Sequence, residues 1–277
     1  MRVGLALATV LVVATAARGA DAPSPLRLDG APAQGALVRG WVPPGTIVAL
    51  RGKKLRVDRD GAFVIGFGRD EAGSVPLEIK PPGQPARTEP LVVARRDWPT
   101  QRIDGLPPGQ VSPDTAALER IRAEQQQLDA ARAVDSAEQG FRGPFAWPAQ
   151  GPISGVYGSQ RVLNGQPRAP HVGLDIAGPE GAPVRAPAAG VVRLAEPDLF
   201  FLGGTVILDH GHGVTTLYAH LSAVGARPGQ RLAAGTALGR IGKTGRVTGA
   251  HLHFALYWQG IALDPAGLLP QTAPAWD

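Results

Sequence analysis

The chain has 277 residues, which at about 150 residues per domain predicts roughly two domains. Hydrophobic residues make up 44% and charged residues 18%, and the 37 glycines and 27 prolines follow no period, so a core can be buried and collagen-like or disordered classes are excluded. The absence of cysteine excludes disulfides, thiolate catalysis, thiolate metal sites and an amino-terminal lipidated Cys, while a net charge of +5 and a pI near 10.1 suit an anionic partner.

Arg2 precedes an unbroken small-or-apolar run from Val3 to Ala17, then Arg18 and Ala20-Asp21-Ala22. The run is too short to span a hydrocarbon core of about 30 Å. A basic start, a short apolar stretch and small residues read as a cleaved secretory signal over residues 1–22. The mature protein is therefore expected in the periplasm, with secretion as the alternative, and not as a transmembrane protein.

Residues 23–98 carry short β-type runs (Thr46 to Leu50, Leu55 to Val57, Ala62 to Phe67, Val75 to Ile79, Leu91 to Val93) broken by Gly, Pro and Asp. This spacing predicts a small antiparallel β-sandwich of immunoglobulin-like type. Asp58-Arg59-Asp60-Gly61 lacks the later oxygen ligands of a calcium loop and reads as a hairpin turn. Residues 99–142 form a linker with a Pro-rich connector at Gly105 to Gly109 and a helix from Pro113 to about Val134. Ser112 is placed to cap that helix, Pro113 suits its first position and Asp114 its dipole. Leu118, Ile121, Leu128 and Ala131 give it one apolar stripe for packing.

From 143 to 277 the pattern is again β, with a Gly at nearly every bend, and predicts a compact, sharply folded all-β domain. The fold class is thus mainly β. Five Trp, three Tyr and seven Phe are too few for a base-stacking surface, and no nucleic-acid partner is expected.

All six histidines fall between positions 171 and 253. Such clustering of a titratable, metal-ligating residue is the strongest functional signal in the chain. His171 and Asp175 form an HxxxD spacing; in a straight strand their Cα atoms would stand about 13 Å apart, so a shared ion requires a bend, which Gly173 allows. His251 and His253, at i and i+2 of a strand, share one face about 6.6 Å apart, with Leu252, Phe254 and Leu256 on the other. One ring could ligate a metal while its neighbour reaches a water. His220, in Leu-Tyr-Ala-His-Leu, ends another strand. His210 and His212 read as a turn or rim between strands. Ala237 to Thr244 approximates a phosphate loop, but no helix follows, so an ordinary loop is expected.

HxxxD at 171 to 175, Tyr-Ala-His-Leu at 218 to 221 and HxH at 251 to 253, with Ala-Pro-Ala-Ala-Gly-Val-Val and Thr-Gly-x-x-x-Gly-Ala-His-Leu-His between them, resemble the lysostaphin/LytM-type zinc metallopeptidases, from about Trp147 to Leu269. Gln101 to Asp135 more weakly resembles an extension of Gram-negative relatives. The resemblance implies Zn²⁺ held by His171, Asp175 and His253, a water completing the site, His251 as general base and His220 orienting the water or stabilising charge. It implies peptidoglycan as substrate, with the D-alanyl to diaminopimelate bond or a glycine bridge as the bond cut, and activity falling as pH drops through about 6.5. In some Gram-positive members a Tyr before the HxxxD His serves as oxyanion donor; here Asn164-Gly165-Gln166 stands there, leaving Tyr157 and Arg161 as alternatives. Two other classes compete: a non-catalytic activator of cell-wall amidases, which goes with lost ligand residues, and a phosphocarrier domain, in which HxxxD has no role. A regulatory protein could engage the amino-terminal domain.

Overall fold

The computed structural model describes residues 26–106 and 113–271. The secretory segment at 1–22 and the Ser112 cap lie outside the described residues. Among these residues no helix is long and apolar enough to cross a membrane.

The amino-terminal part is built from two antiparallel sheets. One orders the strands Arg27–Asp29, Leu37–Trp41 and Ala62–Gly66; the other orders Lys53–Lys54, Ile47–Leu50, Gly73–Lys80 and Arg87–Val93. Alternation explains the second sheet. In Gly73–Lys80, Val75, Leu77 and Ile79 are buried while Ser74, Pro76, Glu78 and Lys80 are exposed, the signature of a sheet with one wet face. Asp58 closes the predicted turn by accepting from the Asp60 and Ala62 amides at 2.9 and 2.8 Å.

An eight-stranded antiparallel sheet organises the rest. Its order runs Arg231–Leu232, Gly190–Leu199, Gly203–Gly211, Val214–Leu221, His251–Trp258, Leu174–Ala177, Ile153–Gly155, with Ile261–Leu263 also paired to His251–Trp258. The two central strands are buried at every position because both faces are covered. Their β-branched runs, Thr205-Val206-Ile207 and Val214-Thr215-Thr216, suit that environment. A two-residue turn joins them, with His212 at φ 54 and Gly213 at φ 78, the geometry that matches strand twist in a tight hairpin.

On one face Ile207, Leu217, Ala219, Ala255 and Tyr257 pack with Leu128 and Ala131 of the helix Thr115–Arg132. Asp114 caps this helix by accepting from the Ala117 amide at 2.8 Å, two residues on from the Ser112 expected to do so. Leu118 stays exposed, so only the carboxy-terminal half of the predicted stripe packs. On the other face Tyr218, Phe254 and Leu256 join a single cluster with Phe63, Ile65 and Leu77 of the amino-terminal sheets. Polar contacts follow the same seam: Arg39 donates to Phe141 O and Gly143 O at 2.7 and 2.9 Å, and Arg96 meets Asp264 at 2.8 Å. The stretch that leads into the Pro-rich connector is also anchored. Thr100–Ile103 pairs in parallel with Gln160–Leu163, and Leu106 and Asn164 exchange hydrogen bonds.

Because one apolar cluster spans both parts, thermal unfolding is expected as a single cooperative transition. Asp264→Ala, which removes the Arg96 partner and the cap on Ala266 N, should lower stability by about 1–3 kcal/mol. Two separated calorimetric transitions would contradict a shared core.

Candidate metal centre

Strand register assembles the site. Asp175 lies directly opposite His253 in the pairing of Leu174–Ala177 with His251–Trp258, and His253 lies opposite Ala219. Alternation sends Leu252, Phe254 and Leu256 into the large apolar cluster, leaving His251 and His253 on the opposite face. His220 breaks the alternation of its own strand. Tyr218 and Leu221 both enter the same cluster, the register shifts between the pairs Val206↔Tyr218 and Gly204↔Leu221, and His220 adopts φ 65. This bulge re-aims the side chain onto the face of the other histidines; a left-handed non-glycine residue at such a point is stored strain of the kind found at functional sites.

His171 arrives from the loop before Leu174–Ala177. The chain bends there as the HxxxD spacing required, and His171 Nε2 comes within 3.1 Å of Asp175 Oδ1. Gly173 makes room: a Cβ there would lie 2.7 Å from His253 Cε1 and 2.6 Å from Phe254 O. Gly155 does the same for the carboxylate, since its Cβ would meet Asp175 Oδ2 at 2.3 Å.

Three ligand atoms converge. His253 Nδ1 stands 2.8 Å from Asp175 Oδ1 and 3.1 Å from His171 Nε2. A tetrahedral ion with bonds of about 2.0–2.1 Å has edges of about 3.3 Å between ligand atoms. The triangle has the size of one face of such a tetrahedron, and its donors, two imidazoles and a carboxylate, are those a divalent transition metal takes. Backbone carbonyls set the tautomers. His171 Nδ1 donates to Val156 O at 3.0 Å, which leaves Nε2 bare for a ligand role. His220 Nδ1 donates to Thr244 O at 2.9 Å and His251 Nδ1 to Gly249 O at 2.9 Å, so each presents an Nε2 lone pair. His251 Nε2 is 3.8 Å from Asp175 Oδ1, and the His220 and His251 rings stand 4.8 Å apart.

The electrostatics favour ligation. Burial would raise the Asp175 pKa, yet its close contacts with His171 and His253 outweigh it and hold the carboxyl well below its usual range. Burial pushes His253 down to about 4, against the pull of Asp175. Burial, then the nearby His253 and His251, keeps His220 neutral well below its ordinary value. Both rings are therefore unprotonated at neutral pH, the form a metal or a proton requires.

Residues 169–265 match the family model Peptidase family M23. The chain carries an M23 peptidase domain. The DD-carboxypeptidase/endopeptidase Mpg of Neisseria meningitidis is 41% identical over 98 residues, 35% of this chain and 22% of that protein. The lipoprotein NlpD/LppB homolog of Pseudomonas aeruginosa is 35% identical over 129 residues, 47% of this chain and 41% of that protein. The chain thus spans well under half the length of these relatives. A crystal structure assigned to peptidase M23 from Pseudomonas aeruginosa aligns over 86% of this chain and 95% of its own, with a TM-score of 0.67 and 29% identity. The likeness covers the amino-terminal sheets as well as the M23 domain.

Around the M23 domain's centre the remaining sequence expectations sort plainly. Arg161 is at the site, donating from Nη2 to Asp175 Oδ2 at 3.0 Å. Tyr157 is not: its hydroxyl donates to Ala262 O at 2.8 Å, its ring packs against Trp98, and burial raises its pKa, so it serves the seam between the two parts. His210 and His212 are also remote, and neither is an exposed tip. His210 bridges Ala189 O and Thr216 Oγ1 at 2.7 Å each, and His212 lies 4.2 Å from the Phe141 ring. The segment 136–141 covers them, with Ser136 O accepting from His212 N at 2.9 Å. Ala237 to Thr244 forms a strand, Ala237–Arg240, and a loop. The loop nonetheless matters, because Thr244 orients His220, a role nothing in its sequence context announced.

Gly173→Ala should weaken metal affinity about 10–100-fold, read by competition with a chromogenic chelator; unchanged affinity would remove Gly173 from the site's support. Bound metal should also survive dialysis at pH 5.5, below the pKa of an ordinary histidine, and be lost as pH approaches about 4, where His253 takes up a proton. Loss near pH 6.5 would mean that burial does not protect the ligands.

Proposed function

We propose that the chain is a zinc endopeptidase that hydrolyses peptide cross-links or stem peptides of peptidoglycan. The observation that carries this reading is the convergence of all five motif residues: a His171–Asp175–His253 triangle beside two further histidines whose Nε2 atoms are bare. A ligand-only site would need the first three alone. Zinc, when bound, supplies Lewis acidity and no redox chemistry.

The chain's own groups do the rest. His251 Nε2 is positioned to take a proton from a water attacking the peptide carbonyl and to return it to the leaving amine. His220, with its Nδ1–H committed to Thr244 O, presents an acceptor and so orients that water rather than donating to an oxyanion. Arg161, hydrogen-bonded to Asp175, is a cationic group at the site and suits developing negative charge. The helix Thr115–Arg132 walls one side of the cleft through Ile121, Gln125 and Leu128. Export directed by residues 1–22 would place the activity in the periplasm, where peptidoglycan lies, and the basic pI favours attraction to an anionic wall. The amidase-activator reading goes with lost ligands, and here every position is filled.

The test uses the zinc-loaded full chain and purified sacculi, with products identified by mass. Wild type should release peptide fragments and lose activity to a chelator. His253→Ala should lose both metal and activity, whereas His251→Ala should keep the metal and slow hydrolysis about 10²–10⁴-fold. Fragment release by His253→Ala at the wild-type rate would sink the metal mechanism. A protein that binds zinc, cleaves nothing and stimulates an amidase would install the activator reading.

A further inference from the structure

The wet face of the second amino-terminal sheet carries charge that nothing in the fold uses. Register places Lys54, Ala49, Glu78 and Thr88 in one cross-strand row. The other rows on that face pair Ile47 with Lys80, Pro76 with Pro90 and Ser74 with Val92, and Lys53 stands exposed at the edge beside them. Three of the chain's four lysines are thus gathered here. Among the described residues none of the three forms an ion pair. Arginines of the same part do: Arg51 meets Glu71 and Arg69 meets Asp70, each at 2.6 Å, and Arg87 meets Glu89 at 3.0 Å. Glu78 is the one carboxylate in these rows.

Apolar groups share the face with the lysines. Val92 is 73% exposed, more than any other large hydrophobic among the described residues, and Ile47 is 45% exposed. Pro76 and Pro90 are exposed opposite each other. One exposed apolar side chain is ordinary, whereas several on one sheet face beside unpaired charge mark an interaction surface. The sheet edges do not invite a partner strand. Lys53–Lys54 is only two residues long and the opposite edge, Arg87–Val93, carries Pro90, and both features blunt strand addition. A partner therefore meets the face, and the residue types narrow its chemistry. A lysine is a compact charge on a flexible stem, suited to a diffuse layer of anions rather than to one planar group. Lysines beside exposed valine, isoleucine and proline fit the boundary of an anionic bilayer, where ammonium groups sit among phosphates and apolar side chains enter the acyl edge. A hydrated polyanion would satisfy the lysines and leave Val92 in water.

We propose that this face docks the protein peripherally on an anionic phospholipid surface. The face turns away from the large apolar cluster on one side, as the histidine face of the eight-stranded sheet does on the other. The docked protein therefore keeps its cleft open on the side away from the bilayer. None of this depends on the peptidase reading.

The test uses the chain from residue 23, which keeps every described residue and omits the apolar run at its start, with vesicles of phosphatidylcholine alone and of phosphatidylcholine mixed with phosphatidylglycerol. Co-sedimentation should show binding to the mixed vesicles and little to the neutral ones, weakening as salt rises. Lys53→Gln, Lys54→Gln and Lys80→Gln combined should lower affinity about hundredfold, at about fivefold per lysine, and flatten the salt dependence. The same charge removed elsewhere, at the exposed Arg102, Arg122 and Arg227, each to Gln, should leave affinity within about threefold. Ile47→Ser combined with Val92→Ser should weaken binding and leave the salt dependence unchanged. All these side chains are exposed, so the variants keep the fold, which an unchanged thermal midpoint verifies. Equal losses in the two triple variants would reduce the effect to net charge and overturn the docking face, as would full affinity in the Ile47 and Val92 variant. Lysine-dependent binding to purified sacculi with none to vesicles would assign the face to a wall polymer and overturn the membrane docking.

Discussion

A carboxylate 6% exposed holds the centre together. A buried charge persists only where it is paired and hydrogen-bonded, and Asp175 divides its two oxygens between opposite kinds of partner. Oδ1 faces the imidazoles of His171 and His253, and Oδ2 faces the Arg161 guanidinium. The position of that carboxylate follows from its place opposite His253 in the sheet. Slipping the strand Leu174–Ala177 by one residue would turn Asp175 into the apolar cluster and bring Ile176 or Leu174 onto the site face. The apolar residues on either side of Asp175 therefore fix the geometry of the His171–Asp175–His253 triangle as firmly as its own side chains do.

Much of this is legible in the sequence because period-2 alternation makes a strand's two faces readable from composition alone. His251 and His253, interleaved with Leu252, Phe254 and Leu256, announce both a strand and the face that carries chemistry. HxxxD announces a bend. His220 is harder, since its approach depends on a bulge and a left-handed backbone, and neither leaves a mark in Tyr-Ala-His-Leu. Thr244 is invisible for a related reason: it acts through its main-chain carbonyl, which every residue type possesses. Arg161 was one of two alternatives for a missing donor, and only packing distinguishes it from Tyr157.

The histidines that lie away from the site show where local reading fails. His210 and His212 sit in Asp-His-Gly-His-Gly, a stretch that looks like an exposed turn. The turn is real, and the exposure is not, because residues 136–141 cross over it from a distant part of the chain. Burial by a remote segment has no local signature. The helix cap is of another kind: Asp114, like Ser112, is a residue type competent to cap, and sequence leaves the first turn open by a residue or two.

The single apolar cluster that runs from Phe63 and Ile65 to Phe254 and Trp258 sets a lower bound on what can stand alone. The stretch 169–265 contains the five converging side chains, yet Arg161, the carbonyl of Val156 that fixes His171, and the helix that walls the cleft all lie before it. Gly66 of the amino-terminal sheet approaches so closely that a Cβ there would meet Leu263 and Trp258 within 3.0 Å. An excised stretch would bare that contact face to water and leave His171 without its carbonyl acceptor. The folding unit is thus wider than the stretch 169–265, and the amino-terminal sheets belong to the scaffold of the histidine cluster rather than to a detachable accessory.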